Sequence, residues 1–272
     1  MFLKVYQSFL NLPSFQGKAR IGGLLQNSLL RPQLAKVIYG LLMELDPVEW
    51  TQISLIKDGC VEPLTTALYS KIISPGDTYI DVGAHVGFHT LIARHFIGDS
   101  GRVIAIEPQP YNCHKILTNW QANNFTNILV YVAAVSNQNG TITLHNQSAT
   151  DKARLSLWLE PVNNQPQKFQ VPLVRLDQIF EENSINQVKL LKIDVEGYEL
   201  EAINGLNHYS SRVENIILEV LGTPSKIPGK TSLLVETLQR LGYHLRTVEG
   251  KAWTLSDSLP ESNLWASRRI EA

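Results

Sequence analysis

From residue 78 onward, short runs of β-branched and aliphatic residues alternate with longer segments whose apolar residues recur at helical spacing. Residues 78–82, 102–106, 128–135, 188–193 and 215–221 read as strands. Residues 87–97, 111–123, 175–182, 197–206 and 232–241 read as helices. The first helix places Phe88, Leu91 and Ile92 on one face with His95 beside them, and the second buries Ile116, Leu117 and Trp120. Regular alternation of this kind requires right-handed crossovers, and therefore a mostly parallel sheet in an α/β fold. At the end of the series, residues 243–248 and 252–255 flank Glu249-Gly250-Lys251, turn chemistry that predicts an antiparallel pair.

Two segments depart from the pattern. Residues 136–174 mix Asn, Gln and Thr with short alternating runs, as an inserted hairpin and loop would. The first 75 residues are mostly helical in period, and the turn cluster Ser74-Pro75-Gly76-Asp77 divides them from the sheet. The chain is thus expected to comprise an N-terminal helical flank or lid (1–75) and a sheet domain (76–272) carrying the insertion. At 272 residues, 44% hydrophobic and 18% charged, it has ample material for a core and lies far from the composition of disordered chains.

Lys and Arg number 24 against 25 Asp and Glu, so no global field draws the chain to nucleic acid or to an anionic membrane surface, although a local basic patch stays open. No nucleic-acid partner is expected, and oligomeric state is not legible. The longest apolar runs, residues 21–25 and 37–43, fall well short of the ~18 to 20 residues of a bilayer span, so no transmembrane helix is expected. Tyr6, Gln7, Ser8 and Asn11 interrupt the N-terminal apolar run, which reads poorly as a secretory signal; a cytoplasmic protein is the expectation. Cys60 and Cys113 read as two ordinary thiols.

The chemistry concentrates at predicted strand ends. Asp81-Val82-Gly83-Ala84-His85-Val86-Gly87 follows a strand and opens a helix, with small residues that allow close approach of a ligand. A dinucleotide fingerprint would place glycine where His85 stands. The leading carboxylate repels phosphate and suits a ligand bearing an ammonium and a sulfonium, which points to S-adenosylmethionine. Glu107 ends the next strand twenty residues after Gly87, the position from which a carboxylate accepts ribose hydroxyls. Further on, Lys192-Ile193-Asp194-Val195-Glu196-Gly197-Tyr198-Glu199 brings three carboxylates to the same sheet edge. Asp194, Glu196 and His85 are the candidates for the base, with Asp194 first, whereas Glu199 reads as a helix-dipole partner. Glu219 closes the following strand, so Asp194 and Glu219 are candidates for a divalent cation or a shared proton.

Residues 76–87, then Ile106-Glu107-Pro108, then residues 191–199, in that order, resemble the FkbM-type methyltransferases across about residues 60–222. The resemblance implies the class I methyltransferase fold: a Rossmann-like, seven-stranded, mostly parallel sheet with one antiparallel strand. It implies S-adenosylmethionine as donor and the hydroxyl of a small molecule, such as a sugar or secondary metabolite, as acceptor. Carried onto this chain, Asp81, Gly83, Ala84, His85 and Gly87 would line the methionine half, joined by Asp194, and Glu107 would meet the ribose. Ala134 would lie near the adenine, and Glu62, in Glu62-Pro63, would face the cofactor. His85 stands where many relatives have Asn.

His85 and His89 are four apart, but the intervening residues lack the glutamate of a zinc-binding helix, and His89 reads as a packing residue. Trp120 reads as core, and Trp158 as core or substrate contact. Two rival readings are a nicotinamide-dependent oxidoreductase on a related sheet and a noncatalytic nucleoside-binding scaffold.

Overall fold

The structure is a computed structural model that describes residues 2–29, 31–146, 155–156, 168–219, 229–257 and 263–269. Helices α1 (Phe2–Leu10) and α2 (Lys18–Leu29) lead into strands β1 (Gln33–Lys36) and β2 (Leu42–Leu45), then α3 (Ile53–Asp58) and α4 (Pro63–Ile72). Next come β3 (Thr78–Val82), α5 (Phe88–Ile97), β4 (Arg102–Ile106), α6 (Pro110–Ala122) and β5 (Ile128–Tyr131). Strands β6 (Ala134–Val135), β7 (Gly140–Asn146), β8 (Leu155–Ser156) and β9 (Lys168–Val174) form a small side sheet. The chain returns through α7 (Leu176–Glu182), β10 (Val188–Ile193), α8 (Glu199–Asn204), β11 (Val213–Leu218), α9 (Lys230–Arg240), β12 (His244–Thr247) and β13 (Leu264–Ser267).

The main sheet has seven strands in the order β12-β13-β11-β10-β3-β4-β5. β13 runs antiparallel to both neighbours, and the remaining pairings are parallel. This is the α/β architecture with one antiparallel strand that the alternation and the family resemblance imply. Because side chains alternate across a strand, Ile80, Val82, Leu191, Ile193 and Ile216 face α7, α8 and α9, meeting Phe180, Ile203 and Leu238. Tyr79, Val103, Leu190 and Ile217 face the other way, toward Leu68, Tyr69, Leu91 and the N-terminal residues Met43, Leu45 and Leu55. The same period places Asp81 and Lys192 on this second face.

Four local expectations are corrected. The first 75 residues are not helical throughout: β1 and β2 form an antiparallel hairpin. The hairpin is held from α6 and its C-cap, where Asn119 Oδ1 accepts the Glu44 amide at 2.7 Å and Asn123 Oδ1 the Leu42 amide at 2.8 Å. The run 128–135 is two strands; the Glu107 amide takes the Tyr131 carbonyl at 3.0 Å, and Ala134 then pairs with Leu173 of the side sheet. On α6, Leu117 is exposed, because the buried face runs through Asn112, Ile116, Asn119 and Trp120. Finally, the partner of β12 is β13 rather than residues 252–255. The turn at Gly250 forms, but Ala252 makes only an isolated bridge to Arg246, while the buried Leu264-Trp265-Ala266 run supplies a strand that tolerates the sheet interior. Trp120 is core, as expected, and Trp158 lies outside the described residues.

Candidate active site

The C-terminal ends of β3, β4, β10 and β11 open on a cavity of about 490 Å³. Open α/β sheets bind ligands at this edge, where chain connections diverge to either face. Its rim begins with the loop between β3 and α5. The Gly83 and Ala84 amides both donate to the Ile106 carbonyl, at 2.9 and 3.2 Å, which ties the loop down onto β4. Gly83 has φ +81°, and a Cβ there would collide with the Asp194 carbonyl oxygen, so only glycine lets the loops after β3 and β10 touch. Gly87, at φ +86°, passes close to Ile116 of α6. His85 also occupies the left-handed region, at φ 51°. That strained turn aims its amide at Glu107 Oε2, 2.9 Å away.

Glu107 is buried and held by three donors: the His85 amide, the Gln109 amide at 3.0 Å and Asn112 Nδ2 at 3.0 Å. Burial dominates those donors and pushes its carboxyl up to about 7. A carboxylate offers about four acceptor sites, so the three donors among the described residues leave one. Ala134 lines the same cavity with Ile142, Leu144 and Leu173 of the side sheet, which form an apolar stretch of its wall.

The opposite end is a charge cluster. Lys192 is register partner of Asp81 on the adjacent strand, and its Nζ lies 2.8 Å from Asp194 Oδ2. Burial disfavours the ammonium, but Asp194, Glu62 and Asp81 around it outweigh that and hold its pKa above the usual lysine value. Asp81 Oδ2 accepts from the Thr90 hydroxyl at 2.6 Å, while its Oδ1 is a buried oxygen with no hydrogen-bond partner among the described residues. Burial raises the Asp81 pKa against the pull of Lys192. Glu62, in the left-handed conformation at the start of α4, meets His89 Nε2 at 3.4 Å and accepts from Asn263 Nδ2. Burial alone would raise Glu62, but His89, Lys192 and Asn263 together hold it well below the usual carboxylate range.

Asp194 and Glu219 converge as β10 and β11 end. The Glu219 carboxyl is pushed up to about 8 by burial and by the neighbouring Asp194. Glu196 stands in a left-handed turn on the cavity wall. Glu199 turns back to accept the Gly197 amide at 3.0 Å and the Val195 amide at 3.3 Å, so it shapes this turn.

Every residue expected to bind cofactor except Gly87, which packs behind the loop on α6, lines the cavity. Two participants escaped the sequence reading. His89 was expected to pack; it does stack on Tyr69, 5.6 Å between ring centroids, but it also forms a cavity wall and pairs with Glu62. Lys192 carried no assigned role. The available signal was its place in Leu190-Leu191-Lys192-Ile193, because a lysine in the middle of a strand buried on both faces needs a partner.

An acid-rich end, an apolar end and a hydrogen-bonding carboxylate between them fit a cationic nucleoside. Residues 81–245 match the methyltransferase FkbM domain. The chain belongs to the FkbM methyltransferase family. Curated relatives agree: "Methyltransferase sdnD" of Sordaria araneosa is 25% identical over 227 residues, 72% of this chain and 86% of that protein. "Methyltransferase 1" of Beauveria bassiana (strain ARSEF 2860) is 24% identical over 178 residues, 59% of this chain and 71% of that protein. Among solved structures, a candidate rRNA-methylase from Clostridium thermocellum superposes with TM-score 0.50 at 10% identity, covering 77% of this chain and 96% of that one. Methyltransferase FkbM from Methylobacillus flagellatus KT gives 0.47 at 17% identity, covering 73% and 47%. This FkbM protein is therefore an S-adenosylmethionine-dependent methyltransferase, and the oxidoreductase reading falls. Among the described residues no group of three or more His, Cys, Asp or Glu is arranged to hold a metal ion, and Lys192 already occupies Asp194.

Proposed function

We propose that this FkbM protein methylates a hydroxyl of a small molecule, with Asp194 receiving the proton. The supporting observation is the composition of the cavity among the described residues: a cluster of carboxylates, aliphatic and aromatic side chains, and a single Lys or Arg, Lys192, already paired with Asp194. The described walls offer no free Lys or Arg to a run of phosphates, and they suit a neutral acceptor lying against Leu55, Val61 and Phe88.

S-adenosylmethionine supplies an electrophilic methyl carbon on a sulfonium. Glu62, Asp81 and Asp194 would hold its cationic end, Glu107 would accept a ribose hydroxyl, and Ala134, Ile142, Leu144 and Leu173 would enclose the adenine. His85 acts in this reading through its amide, which orients Glu107, rather than as the base. Lys192 Nζ fixes Asp194 Oδ2 at 2.8 Å beside Glu219, whose carboxyl is pushed up to about 8, so in this reading the proton of the acceptor passes to Asp194. In-line displacement depends chiefly on positioning, which rigid strand ends provide. The reading includes cytoplasmic residence on the sequence grounds given above; among the described residues no helix is long and apolar enough to cross a membrane.

Incubating the protein with isotopically labelled donor and a metabolite extract, followed by mass spectrometry, tests the reading. A small molecule gaining one CH2 on oxygen is the expected product. Label entering only the RNA or protein fraction, or nitrogen in place of oxygen, overturns it.

A further inference from the structure

The first 43 residues contain five basic side chains, Lys4, Lys18, Arg20, Arg31 and Lys36, and no acidic one, although the whole chain carries a net charge of −1. The same segment exposes large apolar side chains. Val5 is 56% exposed, Leu12 49%, Phe15 45%, Ile21 44%, Leu24 61% and Leu34 58%. Single exposed apolar side chains are ordinary, but six large ones in one short segment free of acids are not.

The arrangement is ordered. Leu3 and Tyr6 bury the inner side of α1 against the core, so Lys4 and Val5 point outward. Lys18 Nζ caps the end of α1, donating to the Leu10 carbonyl at 2.9 Å and to that of Leu12, and the Phe15 ring meets Phe9 edge-on at 6.4 Å. These contacts hold the turn between α1 and α2, in which Leu12 and Phe15 are both exposed, with Lys4 on α1 and Lys18 and Arg20 on α2. At nine and twelve residues, α1 and α2 are too short to span a bilayer. Apolar side chains framed by Lys and Arg on short surface helices match the boundary between acyl chains and anionic headgroups. A soluble partner would have to supply acids and an apolar face at once, whereas an anionic bilayer presents both as a continuous surface.

We propose that this N-terminal face seats the protein peripherally on an anionic lipid bilayer. α1 lies on α3, whose Leu55 lines the cavity, so one helix separates the seated face from the site.

Co-sedimentation of the full chain with vesicles of phosphatidylcholine alone, or mixed with phosphatidylglycerol, tests the proposal. Binding to the mixed vesicles should exceed binding to the neutral ones by about tenfold or more and weaken with added salt. Arg20→Glu with Arg31→Glu, and separately Leu12→Ser with Phe15→Ser, should each lose about tenfold or more. Unchanged binding of S-adenosylmethionine shows that these variants are folded; if they are not, the two vesicle compositions compared on the unaltered protein still decide. No sedimentation, or equal sedimentation with both compositions, overturns the proposal. So does a concentration-dependent dimer in analytical ultracentrifugation that the Leu12→Ser, Phe15→Ser pair dissolves, since a second copy would then cover this face.

Discussion

Asp81 and Lys192 are register partners on adjacent parallel strands, and both are almost wholly withdrawn from solvent. The pair works because Lys192 also reaches Asp194 at 2.8 Å, so one ammonium compensates a set of carboxylates that burial would otherwise neutralise. Removing one partner of a buried ion pair leaves the others uncompensated. Lys192→Met is expected to cost about 3 to 5 kcal/mol of folding stability by urea denaturation. A loss below about 1 kcal/mol would show that the cluster does not depend on it.

Gly83 is the point where two loops touch. Gly83→Ala must both adopt a positive φ and displace the Asp194 carbonyl. The combined strain is expected to cost at least about 2 kcal/mol and to abolish detectable donor binding by calorimetric titration. Ala at Gly140, where a Cβ meets open space, is the control and should leave binding unchanged.

Glu107 predicts a pH dependence of cofactor affinity. In the proposed reading a ribose hydroxyl donates to the ionised carboxylate, whose pKa in the fold is about 7. Affinity should therefore weaken roughly tenfold for each pH unit below that value and level off above it. For folding the sign is opposite. The folded value lies above the ordinary 4.5, so the native state holds an extra proton between 4.5 and about 7, and donor-free stability falls as pH rises through that window. Glu107→Ala should weaken donor binding by about 1.5 to 3 kcal/mol, the range of one hydrogen bond to a charged group, and abolish the pH slope. A slope that persists in the variant assigns it to another group.

Glu62 carries the reverse sign. His89, Lys192 and Asn263 hold its pKa below 4.5 in the fold, so its stabilising contribution is complete above 4.5 and is lost as pH falls toward the folded value. Glu62→Gln should flatten the acid limb of stability below about pH 4.5 while changing little of its slope near neutrality. Urea midpoints at neutral and acidic pH measure this; parallel curves for the two proteins would contradict it.

The order of the central elements and the gathering of Asp81, Gly83, Glu107 and Asp194 at one edge of the sheet were legible in the residues. They depend on local periodicity and on turn chemistry within a few positions, as β3, β4 and β10 illustrate by matching their predicted bounds. What the sequence left open depends on contacts between distant segments. Asn263 meets Glu62 across 201 positions, and Asn119 on α6 and Asn123 at its C-cap hold the β1–β2 hairpin that helical periodicity concealed. β13 displaced the nearer residues 252–255 because an apolar run fits the sheet interior, a preference expressed only once β11 and β12 are in place. Local pattern decides which backbone state a segment prefers and which of its faces is apolar. Only the packed chain decides which charges meet, because the partners of Lys192 and Glu62 come from separate elements whose spacing along the chain bears no relation to their spacing in the fold.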